Sequence, residues 1–279
     1  MNESDEDRTS RMARQAPPQA SVLVVAGLDP SGGAGLLADA RVVAQHGFHA
    51  AGVATALTEQ DSLQCAWMHP VPAEVVSSQL ARLIDDFEVR AVKVGMLASA
   101  EVALAVAQAL RRLVDAHVPI VVDPVLRATR GVPLLDLNGA APHEALAPIL
   151  ELCTLVTPNF DELALLTGRE IRDLDELREC ARRLRARGPK AVLAKGGHLP
   201  GGAPEVIDVL VDADGEIDFP GRRVEGPTPH GTGCALSSEI ACRLAFGASL
   251  REAVRAATER VRVRIAEARV VGRGRPFLG

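Results

Sequence analysis

The chain has no tyrosine, one tryptophan and six phenylalanines among its 279 residues. So thin an aromatic complement leaves no stacking platform for single-stranded nucleic acid. Positive charge is not in excess either. The formal net charge is −5 and the pI is near 5.8, which argues against DNA or RNA as the partner. Arginine-rich stretches at 178–187 and 251–264 have Glu and Ala interleaved, as on solvated helix faces. No apolar run reaches the ~18 residues of a membrane span. No CxxC pair occurs. The five cysteines, at 65, 153, 180, 234 and 242, are odd in number and widely spaced. That argues against a disulfide framework or a zinc site and fits a reducing compartment, the cytoplasm. Residues 1–20 lack the apolar segment of a secretory signal, and their early acidic residues do not suit a transit peptide. They are expected to be a disordered tail, with a single domain over 21–279.

What is present is aliphatic: 47% of the chain is hydrophobic, enough for a sizeable core of Ala, Val and Leu. Short apolar runs alternate with helical stripes. Strands are expected at Val22–Ala26, Val53–Leu57, Ala91–Val94, Ile120–Val122, Leu152–Val156 and Ala191–Lys195. Between them, Leu36, Ala40, Val43 and Ala44 share one helix face, as do Val76, Leu80, Leu83 and Phe87, and also Val102, Ala105, Val106, Ala109 and Leu113. A further helix is expected over Asp175–Arg187. Residues 205–224 read as two or three antiparallel strands about Asp214-Gly215, followed by helices near 233–246 and 249–268. This alternation predicts an α/β fold with a mostly parallel central sheet and helices on both faces. Ligands then bind beyond the carboxyl ends of the strands, in the loops 27–35, 58–64, 95–97, 123–131, 157–162, 196–204 and 226–234.

Several of these loops carry chemistry-bearing residues. Ala26–Gly35 (AGLDPSGGAG) follows the first strand and opens a helix. Its glycines allow a close ligand, but it matches neither the Walker A nor the dinucleotide spacing, and a tight packing turn explains it equally. His230-Gly231-Thr232-Gly233-Cys234 presents consecutive backbone N–H groups at a helix start, an anion nest suited to a transferring phosphoryl group. Cys234 falls in the first helical turn, where the dipole is expected to lower a thiol pKa; an ordinary N-cap with a buried cysteine is the alternative. Asn159 and Glu162 lie three apart at a helix start, as metal-directed oxygens or as a capping box. Lys195 and Asp123 end strands, where they can meet phosphate and Mg²⁺ or simply solvent and a turn. Gln60 can accept and donate at once, as a ring nitrogen beside an amine requires.

In this order the motifs resemble the ribokinase-like superfamily, and within it the hydroxymethylpyrimidine/phosphomethylpyrimidine kinases of thiamine biosynthesis. The similar stretches are AGLDPSGGAG (26–35), ADARVVAQHG (38–47), TALTEQDS (55–62), KVGML (93–97), VVDPV (121–125), TPNFDE (157–162), AKGGHL (194–199) and HGTGCALS (230–237). The resemblance implies a ribokinase-like three-layer fold with a small lid. It implies two successive transfers from ATP, first to 4-amino-5-hydroxymethyl-2-methylpyrimidine and then to its monophosphate. It further implies that Gln60 holds the pyrimidine edge in a pocket lined by Asp39, Thr58, Met96 and Val125. Gly231, Thr232 and Gly233 would form the anion hole, with Cys234 where the attacking hydroxyl is activated. Asp123, Asn159, Glu162 and Lys195 would face ATP, with Mg²⁺ held only through the nucleotide. Kinases on this scaffold often form homodimers. Two departures stand out: Leu28 replaces a common hydroxyl residue, and Arg127–Gly131, the expected lid, lacks a Lys-Ser pair. Pyridoxal kinases of the same superfamily are the nearest alternative, and a non-catalytic nucleotide sensor is an alternative of another class.

Overall fold

The computed structural model describes residues 19–127, 133–137, 139–197, 205–224, 226 and 228–278. The expected tail therefore lies almost wholly outside the described residues, as do His198 and most of the expected lid.

Strand β1 (Ser21–Leu28) runs through the centre of the sheet, and Val22 to Val25 are all 0% exposed. Helix α1 (Gly35–Gln45) returns the chain to β2 (His49–Gln60), which turns back as β3 (Cys65–Pro70). Then come α2 (Ala73–Asp86), β4 (Val89–Val94), the short β5 (Ala98–Ser99), α3 (Ala100–Asp115) and β6 (Ile120–Val122). The chain continues through β7 (Leu135–Asp136), α4 (Pro142–Leu150), β8 (Leu155–Val156), α5 (Phe160–Thr167), α6 (Leu174–Arg185) and β9 (Val192–Ala194). A hairpin of β10 (Glu205–Asp212) and β11 (Gly215–Arg222) precedes α7 (Thr232–Ala245) and α8 (Leu250–Ala266).

Nine strands form one sheet in the order β11-β10-β9-β8-β6-β4-β1-β2-β3. The six central strands are parallel, while β3, β10 and β11 pair antiparallel at the edges. One face packs against α2 to α6 through residues such as Val76, Leu80, Leu110, Ile149 and Leu177. The other packs against α1, α7 and α8 through Val43, Ile240, Ala241 and Val254. Each fully buried leucine is worth about 1.5–3 kcal/mol in transfer free energy, so this mostly aliphatic core needs little aromatic mass beyond Phe48 and Phe219.

The chain leaves β1 for β2 on one side and reaches β4 on the other. The strand order therefore reverses at β1/β4, and the crevice beyond their carboxyl ends is where such sheets bind ligands. Gly95 continues β4 into that crevice by donating its N–H to Val25 O at 2.8 Å.

Beyond shifts of strand ends, two elements differ from the sequence expectation. The strand β2 is 12 residues long rather than five, because its far end is paired by β3, which the apolar pattern alone did not reveal. The helix α4 lies where Gly139, Pro142 and Pro148 read as loop punctuation; Pro142 sits in its first turn, where a missing N–H costs nothing. The segment 205–224 forms two antiparallel strands, within the expectation.

Candidate active site

The β1–α1 loop is shaped by Asp29. Its Oδ1 accepts from Ser31 N (2.9 Å) and Ser31 Oγ (2.7 Å), and its Oδ2 accepts from Ala34 N (3.0 Å). This local turn competes with continued strand and stops β1 at the crevice. The turn before α7 packs directly on that loop. Gly231 has φ of +81°, and a Cβ built there would stand 2.1 Å from Gly33 O, so only glycine permits the contact. Among the described residues no side chain caps α7. The N–H groups of Thr232, Gly233 and Cys234 therefore lack intrahelical acceptors and are left for a ligand.

Beneath this turn lie two lysine–carboxylate pairs. Lys195 Nζ donates to Asp123 Oδ1 at 3.0 Å, and Thr157 Oγ1 donates to the same oxygen at 3.3 Å. A Cβ on Gly233 would come within 3.2 Å of Lys195 Nζ and 3.3 Å of Asp123 Oδ2, so the nest stands directly over this pair. The second pair is Lys93 with Asp39, both 0% exposed, with Ser238 Oγ donating to Asp39 Oδ1 at 2.8 Å. Burial penalises both ammonium groups. The facing carboxylates, Asp39 for Lys93 and Asp123 with Glu162 for Lys195, outweigh it and hold both above the usual lysine value.

Asn159 and Glu162 form a reciprocal capping box on α5: Asn159 Oδ1 accepts from Glu162 N at 2.9 Å, and Glu162 Oε2 accepts from Asn159 N at 2.8 Å. Burial pushes Glu162 up to about 7, opposed by Lys195 and reinforced by Asp123. The capping reading is thus realised, and both residues also face the crevice.

At the other end, Gln60 Nε2 lies 3.1 Å from Asp29 Oδ2 and 2.6 Å from His230 Nε2. Thr58 Oγ1 donates to Leu28 O at 3.0 Å. Burial opposes the Asp29 carboxylate, but hydrogen bonds from His230 and Ser31 outweigh it and hold its pKa below the usual range.

One cavity of about 1100 Å³ joins the two ends. Gln60, Thr58, Met96, Val125, Asp123, Asn159, Glu162, Lys195, Gly231, Thr232, Gly233 and Cys234 all line it. Its size exceeds an ordinary single-ligand pocket of roughly 300–1,000 Å³. Asp39 is the exception. It does not line the pocket but lies under its floor, bonded to Lys93 and Ser238. The expected lowering of the Cys234 thiol pKa meets the opposite influence in its surroundings. Burial pushes this thiol up to about 12; nearby Asp39 and Asp123 add to the rise, and Lys93 and the Gly35 N–H offset only part of it. Desolvation and two carboxylates outweigh Lys93 and the Gly35 N–H. Of the expected lid, Arg127 lines the cavity and bridges to Pro133, while 128–131 lie outside the described residues.

Three residues at the site escaped sequence reasoning as individuals: Asp29, His230 and Lys93. All lie within the quoted motifs. Lys93 carried a signal of its own, a charge within the apolar run 91–94, which is costly unless paired.

Residues 29–277 match the family model described as Phosphomethylpyrimidine kinase. The chain is 43% identical over 242 residues to the hydroxymethylpyrimidine/phosphomethylpyrimidine kinase of Streptomyces coelicolor, covering 86% of each. It is 42% identical over 267 residues to the thiamine biosynthesis bifunctional protein ThiED of Geobacter sulfurreducens, covering 94% of this chain and 52% of that protein. The chain thus spans about half the length of that relative. Its fold matches the crystal structure of an ADP complex of Bacillus subtilis pyridoxal kinase with a TM-score of 0.81 at 26% identity, covering 94% and 98% of the two chains. With a family match that begins at Asp29 and ends at Phe277, spanning both loops that build the anion nest, the chain belongs to the phosphomethylpyrimidine kinase family.

Proposed function

We propose that the protein transfers phosphoryl groups from ATP to 4-amino-5-hydroxymethyl-2-methylpyrimidine and then to the resulting monophosphate. The observation that carries this reading is the shared cavity: an uncapped helix start over Lys195–Asp123 at one end, and a Gln60 corner at the other. The family relatives' names support the same chemistry and substrate.

The residues fit a magnesium nucleotide. Lys195 offers a buried cation for phosphate, and Asp123 and Glu162 offer the hard carboxylate oxygens that Mg²⁺ prefers. When bound, the metal would neutralise charge on the phosphates. The protein's own part is positioning and charge stabilisation, which dominate phosphoryl transfer. The N–H groups of Thr232, Gly233 and Cys234 point dipoles at the transferring group. Lys93 and Lys195 add positive potential beneath them. Gln60, Thr58 and Met96 hold the ring so that its hydroxymethyl arm reaches the nest. Cys234, a neutral thiol at pH 7, shapes this nest rather than removing the proton, which needs to leave the alcohol only late.

Incubation with the pyrimidine alcohol and ATP, followed by separation of mono- from diphosphate, tests the reading. Both products are expected. No phosphorylated pyrimidine at all would refute it. Pyridoxal run in parallel addresses the rival reading, which the pyridoxal kinase fold match favours. Absence of product from either alcohol would point to the nucleotide sensor.

A further inference from the structure

Lys195 follows β9, and β10 runs antiparallel beside it. Val209 pairs with Ala194 and Leu210 with Leu193, so one further step of the register sets Asp208 beside Lys195. Leu193 and Leu210 both pack toward α7 and α8. Side chains alternate with a period of two, so Lys195 and Asp208 share that face. Gly196 N donates to Asp208 Oδ1 at 3.0 Å, and a Cβ on Gly196 would stand 2.0 Å from Ile207 O. The chain just after Lys195 is thus clamped onto β10.

Asp208 lines the same cavity as the anion nest. Lys195 leans the other way, toward Asp123 after β6, which leaves Asp208 on the outer side of the sheet. The nest over Lys195 and Asp123 is two to three strand spacings from Asp208, roughly 10–14 Å. A triphosphate chain that starts at the nest brings its sugar to this place. Thr258, Val261, Arg262 and Ile265 also line the cavity, at the spacing of one face of α8. Val261 and Ile265 are apolar, and Thr258 Oγ1 donates to Arg255 O at 2.8 Å, which keeps its hydroxyl on its own helix. Arg262 Nη2 donates to Phe219 O at 3.2 Å, and a Cβ on Gly221 would stand 2.0 Å from Arg262 Cζ, so this guanidinium is laid against β11.

Among the described residues no donor is bonded to Asp208 Oδ2. Burial raises this carboxyl above the ordinary aspartate value, against the Gly196 N–H and the charges of Arg262 and Lys195. The group is short of donors. A metal ion here would face both of those cations, and a phosphate would meet the carboxylate itself. A neutral hydroxyl suffers neither conflict. We propose that Asp208 is a specificity-determining residue whose Oδ2 accepts a hydrogen bond from a ribose hydroxyl of the nucleotide donor, so that ribonucleotides are held in preference to deoxyribonucleotides. This deepens the kinase reading above and rests on its nucleotide half alone.

The test is calorimetric titration with ADP, 2′-deoxy-ADP and 3′-deoxy-ADP, each with Mg²⁺ and without the pyrimidine. The wild type is expected to bind ADP at least about tenfold more tightly than one of the two deoxy forms, the worth of a hydrogen bond to a charged group. Asp208→Asn can keep an amide oxygen on the Gly196 N–H while it turns an NH₂ toward the sugar. It is expected to weaken ADP about tenfold, to move the poorer deoxy form by no more than about twofold, and so to cancel the preference. A wild type that binds all three nucleotides within about twofold overturns the proposal. So does a preference undiminished in folded Asp208→Asn. Equal weakening of ADP and both deoxy forms in that variant overturns it too, because that is a role in holding the Lys195 loop alone. Phosphorylation of the pyrimidine is read separately. Its absence beside an intact sugar preference sinks the functional reading and leaves this proposal standing, product without sugar preference does the reverse, and no nucleotide binding at all overturns both.

Discussion

Replacing Lys93 by methionine removes one half of the charge pair under the anion nest. Lys93 and Asp39 are both 0% exposed, and among the described residues the Ser238 hydroxyl is the further donor to Asp39. Methionine fills a volume close to that of the lysine stem, so the main change is an uncompensated buried carboxylate. Breaking a buried pair in this way costs about 3–5 kcal/mol, which for a domain near this size lowers Tm by about 10 °C. Asp39→Asn should cost less. The ammonium it leaves behind lies at the cavity floor, where Asp123 also holds its charge, whereas Asp123 only repels an orphaned Asp39. In Lys93→Met/Asp39→Asn no net charge remains buried, and at least half of the lost stability should return. Thermal melts and urea titrations of the four proteins measure this. A loss below about 1 kcal/mol in Lys93→Met, or a double variant no better than the single, would mean that water in the cavity solvates these groups, and the buried-pair reasoning would fail.

Three further outcomes are expected. Gly231→Ala forces a side chain into left-handed backbone, at about 1–2 kcal/mol, and pushes the turn off Gly33; kcat/KM should fall by at least about a hundredfold while Tm drops only a few degrees. If the Cys234 thiolate were the base, a thiol near 12 would make kcat climb about tenfold per pH unit from 7 to 9. Instead, kcat should be flat over that range and Cys234→Ser should keep it within about tenfold; a log-linear climb that Cys234→Ser abolishes would restore the base role. Cys153 is buried and pushed up from 9.0 to about 12. The folded state keeps this proton while the unfolded chain releases it above pH 9, so its stabilisation is complete below 9 and fades as pH rises toward 12. Between pH 8 and pH 10 the wild type should lose about 1.4 kcal/mol more than Cys153→Ala, read from urea midpoints.

The parallel frame was legible because each central strand is a short apolar run followed by a helical stripe. The edges were not. The strand β3 alternates weakly and ends at Pro70, and its existence depends on pairing with β2 rather than on its own pattern. The helix α4 hid behind two prolines: Pro142 suits its first turn, but Pro148 lies inside it, where the pattern alone reads as a break. Within the site, the loops were legible from their glycines, while the roles of single residues depended on burial. Asp39 shows this best. It lies three residues after Leu36 and four before Val43, on the apolar stripe of α1, and Lys93 sits in the apolar run of β4. Each is anomalous alone, and each is the other's explanation.

The same two anomalies account for the state of Cys234. A helix start with two lysines beneath it should, on charge alone, favour a thiolate. Yet Lys93 is matched by Asp39, and Lys195 by Asp123, with Glu162 nearby. The cations are therefore largely neutralised before any ligand arrives, and desolvation decides the thiol's protonation. An incoming phosphate meets a different situation. It brings its own charge, takes the free N–H groups of the turn, and draws on lysines already fixed in place by their carboxylates, so little reorganisation is needed when charge develops. A pre-neutralised nest suits an enzyme that must hold an alcohol beside a phosphate without generating a competing nucleophile at Cys234.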